Sequence, residues 1–177
     1  VVIFQPAEEG GAGGKAMVDD GMMDRFGVTE VYGMHTAPGL PVGYFATRPG
    51  PLLAASDRIE FEIEGVGTHA AKPHLGIDPV AIGCQLHQAL QTIVARNVDP
   101  VQSAVVSVTM FHAGDAMNVI PQTAKLQGTV RTLKEDVRTL VKRRITEICD
   151  GMAKVHNARI KLTYTETNLE PKKRLYE

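Results

Sequence analysis

Near its start the chain reads FQPAEEG, which sets Glu8 and Glu9 side by side just after an apolar run ends in Pro6. Adjacent carboxylates suit a divalent metal, because one can ligate the ion while the other takes a proton from the attacking water. The ion lowers the pKa of that water, and a nearby carboxylate then makes it a nucleophile at neutral pH. Taken alone, the same pair also reads as a solvated loop. A metal site needs ligands from elsewhere. His35, which closes VTEVYGMH, is the candidate, since α/β sites form where neighbouring strands end on one side of a sheet.

Two further islands carry chemistry. GTHAAKPHLGIDP (67–79) places His69 and His74 between a strand and a helix, and GDAMNVIP (114–121) places Asn118 in a tight connection between strands. Arg131 ends the strand that follows. An imidazole, an amide and a guanidinium together suit an acyl oxygen and a substrate carboxylate. Each also has a plainer reading, as a polar loop, a turn asparagine and a solvent-facing arginine. The glycine-rich GAGGKA (11–16) fits G-x-G-x-x-A. However, QPAEE intervenes where that fingerprint wants the turn directly after a strand, and two carboxylates would sit beside a pyrophosphate. A Walker loop fails at Glu9 and Ala16. Nucleotide binding is the weakest reading.

The elements that would hold these residues follow from periodicity. Val1–Gln5 and Val28–His35 read as strands, with a short helix over Lys15–Asp20 stopped near Gly21. Prolines and glycines from Pro38 to Pro51 mark a domain boundary near residues 46–55. Beyond it, Arg58–Glu64 alternates Ile59, Phe61 and Ile63 with Glu60, Glu62 and Glu64, the pattern of a half-buried strand. Asp78 can cap a helix beginning at Pro79, with Ile82, Leu86, Leu90 and Ile93 as its stripe. Ala104–Phe111, Ala124–Thr132 and Arg159–Thr165 read as strands. Val137, Val141, Ile145, Ile148, Met152 and Val155 define a long amphipathic helix whose other face holds Lys142, Arg143 and Glu147. The order β-α-β-β-α-β is that of a ferredoxin-like domain: four antiparallel strands, two helices on one face and the glutamates on the other.

Composition bounds the rest. With 177 residues, 44% of them hydrophobic, there is material for a real core, and a net charge of -1 gives no general attraction to nucleic acid or an anionic membrane. No run of about 18 apolar residues suggests a membrane span. Cys84 and Cys149 fall within helical patterns rather than a paired framework, which suits a reducing, cytoplasmic compartment. The chain opens inside what reads as a buried strand, so it is expected to be a fragment of a longer protein.

Taken together, FQPAEEG, YGMH, GTHAAKPHLGIDP and NVIPQTAKLQGTVRT resemble the co-catalytic metallo-amidohydrolases, the relatives of aminoacylase and carboxypeptidase G. The hippurate hydrolase and indole-acetyl-amino-acid hydrolase branch is the most similar. The resemblance runs from Val1 to about Thr167. It implies a piece of a zinc-peptidase-like α/β catalytic domain over residues 1–46, a ferredoxin-like lid and dimerisation domain over 47–167, and a divergent tail over 168–177. It further implies Glu8 as general base, Glu9 and His35 as metal ligands, His69 as the group that stabilises the tetrahedral oxyanion, and Asn118 and Arg131 as substrate-binding residues. The expected substrate is an N-acyl amino acid, and the expected cofactors are two divalent ions, zinc, manganese or cobalt. The expected assembly is a homodimer through the lid, with no nucleic-acid or membrane partner. With only Glu9 and His35 of the ligand set present, the chain by itself is expected to be inactive. The alternative is a non-catalytic dimerisation or binding module.

Overall fold

The computed structural model describes residues 1–7 and 13–166. The chain divides into two compact units, Val1–Arg48 and Pro49–Glu177.

The first unit carries two short helices, α1 (Gly13–Asp19) and α2 (Met22–Arg25). Gly21 separates them at φ 81°, a left-handed conformation that costs glycine nothing. Lys15 pairs with Asp19 one turn on. The described residues of this unit contain no strand, which corrects the reading of Val1–Gln5 and Val28–His35. Apolar, β-branched runs supply strand propensity, but an apolar strand also needs ladder partners and cover on its faces. Among the described residues neither run has them: Val1, Phe4, Tyr32 and Met34 are each more than 80% exposed.

The second unit is built on four long strands, β1 (Ala55–Glu64), β3 (Ala104–Ala113), β5 (Thr123–Thr132) and β6 (Arg159–Thr165). They lie in the order β3-β5-β1-β6, every neighbour antiparallel. Helices α3 (Pro79–Arg96) and α4 (Glu135–His156) complete the ferredoxin-like order. Two minimal strands, β2 (Thr68–His69) and β4 (Val119–Ile120), pair separately.

The alternation in β1 explains the layering. Ile59, Phe61 and Ile63 are fully buried, as are Leu86, Leu90 and Ile93 from α3 and Val141 and Ile145 from α4. Phe61 lies opposite Leu126 on β5 and Leu162 on β6, so one row crosses the centre of the sheet. The cap read at Asp78 is made: its Oδ1 accepts from the N–H groups of Val80 (2.8 Å) and Ala81 (3.2 Å), with Pro79 in the first turn. A cap of this kind is worth about 1 kcal/mol. Gly83 sits in mid-helix because a Cβ there would come within 2.6 Å of the Phe111 ring. Beside the bulge at Val108/Met110, a Cβ on Gly128 would meet the carbonyl oxygen of Ser107 at 2.0 Å.

The opposite face of the sheet is charged. Glu60 pairs with Lys125 (3.2 Å) and Glu64 with Arg159 (3.8 Å) across neighbouring strands. The Lys125 ammonium, helped by Gln127, holds the Glu60 carboxyl below its ordinary range. Among the described residues no helix is long and apolar enough to cross a membrane.

Candidate functional site

The His69 and Asn118 islands converge on the small β2–β4 ladder. Thr68 lies opposite Ile120 and His69 opposite Val119, and the Ala70 N–H donates to the Asn118 carbonyl at 2.9 Å. One side chain clips this ladder to the main sheet. Gln122 Nε2 donates to the Gly65 carbonyl (2.6 Å), its Oε1 accepts from the Gly67 N–H (3.1 Å), and its backbone carbonyl accepts from the Gly65 N–H (2.9 Å). A bridge between Val66 and Ile77 ties in the far side of the loop. The short 3-10 turn Pro73–Leu75, which carries His74, completes it.

Hydrogen bonding assigns the imidazole tautomers. The Ala71 N–H donates to His69 Nδ1 at 3.1 Å. A backbone N–H can only donate, so Nδ1 is the bare acceptor and the ring proton sits on Nε2. His69 is exposed and therefore offers an N–H outward. His35 is the opposite case. Its Nδ1 lies 2.6 Å from the Thr36 carbonyl oxygen, which can only accept. Nδ1 thus carries the proton, and Nε2 keeps the lone pair that a metal takes.

Arg131 is elsewhere. It lies exposed near the end of β5, opposite Ser56 and Val105. The ten residues of β5 put about 30 Å between the strand's two ends, and the His69–Asn118 ladder adjoins the other one. Within one chain, then, the second unit brings His69 and Asn118 together and leaves Arg131 apart. Glu8 and Glu9 lie outside the described residues. Among those described, no group of three or more His, Cys, Asp or Glu side chains could hold a metal ion. His35 has the donor chemistry of a ligand, as one member of a set.

Sequence reasoning missed two features. The ladder itself is too short to show a period. A buried ion pair with a half-buried tyrosine was also missed: Arg138 donates from Nε and Nη2 to the two oxygens of Asp57 at 2.8 and 2.5 Å, and Tyr164 adds its hydroxyl at 2.8 Å. A buried arginine on α4 facing an aspartate on the inner side of β1 shows itself only once the register is known.

Comparison with known proteins shows the family. The peptidase dimerisation domain model matches residues 55–157. The chain is 47% identical over 152 residues to an N-acetyl-L-cysteine deacetylase of Bacillus subtilis, covering 86% of this chain and 36% of that one. It is 44% identical over 161 residues to an N-acetyldiaminopimelate deacetylase of Leuconostoc mesenteroides, covering 90% and 42%. Among solved structures, a Bacillus subtilis protein described as a dinuclear metal binding peptidase from the M20 family superposes with a TM-score of 0.70 at 36% identity. That match covers 92% of this chain and 39% of the other. An aminobenzoyl-glutamate utilization protein from Klebsiella pneumoniae gives 0.64 at 28% identity, covering 92% and 40%. The chain spans about two fifths of the length of the curated relatives it matches. It belongs to the M20 peptidase family, and residues 55–157 are its dimerisation domain.

Proposed function

We propose that this chain is part of a metal-dependent amidohydrolase that cleaves the amide bond of N-acyl amino acids, including hippurate-like substrates. The observation that carries this reading is the His69 tautomer: a neutral imidazole presenting Nε2–H beside the Asn118 segment suits an acyl oxygen that gains charge in the transition state. In this reading residues 1–46 are a piece of the metal-binding domain, 47–167 are the lid through which two copies pair, and 168–177 are a divergent tail. The deacetylases and the dinuclear peptidase among the relatives support it.

His35 Nε2 and the Glu9 carboxylate would hold divalent metal, whose contribution when bound is Lewis acidity toward the acyl oxygen and the attacking water. Zinc, manganese and cobalt all suit such ligands. Glu8 takes the proton of the attacking water, His69 donates to the acyl oxygen, Asn118 orients the amide and Arg131 binds the carboxylate. Since Arg131 lies far from the ladder, it serves a different site from the His69 of its own protomer, as a paired lid would allow. Glu9 and His35 are two ligands where a catalytic site takes three, so residues 1–177 alone should neither retain metal tightly nor turn over.

Steady-state assays of the full-length protein on N-acetyl and N-benzoyl amino acids test the reading. Glu8→Gln and His69→Ala should each lower kcat by about a hundredfold or more with metal content unchanged. Activity within about tenfold of wild type for Glu8→Gln would remove it as the base. A second reading, a dimerisation module without catalysis, draws on the matched domain itself. It would stand if the full-length protein dimerised but held no metal and cleaved none of these amides.

A further inference from the structure

We infer that Val119 reads the acyl group of the substrate and selects for an apolar one longer than acetyl; the inference rests on the amidohydrolase reading above. Directly paired residues of an antiparallel ladder point to the same face, with Cβ atoms about 5 Å apart. Val119 is the partner of His69. The two therefore share the outer face of the β2–β4 ladder, and Val119 keeps 48% of its surface exposed there.

The inner face is occupied in another way. Thr68 and Ile120 are half-buried, and Gly76 packs so closely on the Thr68 methyl that a Cβ would come within 2.6 Å of it. Packing within the domain thus accounts for one face of the ladder and leaves a β-branched apolar side chain on the other, beside the oxyanion donor.

Substrate geometry names the occupant. The first carbon of an acyl chain is bonded to the carbonyl carbon and lies about 2.4 Å from the carbonyl oxygen. An oxygen held by His69 Nε2 therefore brings that chain alongside the imidazole. A histidine reaches farther from the ladder than a valine, so an acetyl methyl stops short of Val119 while a longer chain folds back onto it. The amino-acid half carries a carboxylate, which would lose its hydration against the valine methyls without gaining a partner. The apolar half belongs there.

The experiment measures kcat/KM of the full-length enzyme for N-octanoyl and N-acetyl forms of one amino acid. Val119→Ala and Val119→Thr should lower the octanoyl-to-acetyl ratio by about four- to fifteenfold, the scale of burying one or two methylenes. The acetyl rate should change less than the octanoyl rate. Val155→Ala, an equally apolar exposed position on α4, should leave the ratio unchanged. A ratio unmoved in both Val119 variants, or a wild type that cleaves acetyl but no octanoyl substrate, overturns the inference and leaves the hydrolase reading in place. A wild type that cleaves neither overturns both.

Discussion

Arg138 closes on Asp57 as a two-pronged pair inside the domain, with side chains 6% and 1% exposed. It joins α4 to the innermost layer of β1, and Tyr164 adds a third bond from the edge strand β6. Removing one member strands a buried charge, which costs about 3–5 kcal/mol, whereas replacing both by apolar groups costs far less. Arg138→Met should therefore lower unfolding free energy by about that amount in urea. The double variant Asp57→Leu/Arg138→Met should recover most of the loss. A single variant within about 1 kcal/mol of wild type would show that the pair does not hold α4 in place.

Tightness at the β3–β5 crossing gives a second expectation. Gly128→Ala pushes a methyl toward the Ser107 carbonyl oxygen, which is backbone and cannot swing aside. Overpacking of this kind costs about 1–3 kcal/mol. Thermal melting should show a clear drop in Tm, while Gly151→Ala, with open space around it, should not fall and can gain slightly from helix propensity.

The two thiols should behave differently. Cys84 on α3 is exposed, and Cys149 on α4 is buried. Burial, with Asp150 adding to it, pushes the Cys149 thiol up to about 12. A thiolate-selective reagent at pH 8 should therefore label one cysteine in the native protein and two in urea, with peptide mapping placing the first label at Cys84.

Alkaline pH should weaken the fold for the same reason. A group whose folded-state pKa is raised contributes stability that is complete below its unfolded pKa and is lost as pH rises through the folded one. Cys149 titrates near 8.5 when unfolded, so its contribution falls between about pH 9 and 12. Tyr164, raised by its burial and then by its bond to Asp57, acts in the same direction. Unfolding free energy should drop by about 3 kcal/mol from pH 8 to pH 11 on account of Cys149 alone. Cys149→Ala should show a correspondingly shallower decline in urea titrations at both pH values.

The two imidazoles offer a spectroscopic check. Long-range nitrogen–proton correlation spectra at pH 8 should show His69 protonated at Nε2 and His35 at Nδ1, following the Ala71 N–H and the Thr36 carbonyl. Finding His69 protonated at Nδ1 would remove its outward N–H donor.

The dimerisation domain was legible in the sequence because its signals are periodic. Ile59, Phe61 and Ile63 alternate and Val137, Val141 and Ile145 recur at helical spacing, so layer and topology followed, as did the cap at Asp78. The islands holding His69 and Asn118 were visible by composition. Their meeting was not, because two-residue strands have no period and the Gln122 clip is a single polar side chain with nothing around it to mark it. The strands expected over Val1–Gln5 and Val28–His35 failed for the opposite reason: composition favoured them, but nothing local to either run reveals whether a ladder partner is at hand. Asp57 and Arg138 are ordinary surface residue types, and only the register turns them inward.

The Gln122 clip has a consequence for how this domain can change over generations. His69 and Asn118 ride on a small ladder held by the Gln122 bonds to Gly65 and Gly67 and by the Val66–Ile77 bridge, with only its inner face packed. Core positions can drift among similar apolar side chains without moving the tip, and the tip can be retuned without loosening the core. In the amidohydrolase reading, the outer edge can therefore change its substrate preference while the packed sheet and helices stay as they were.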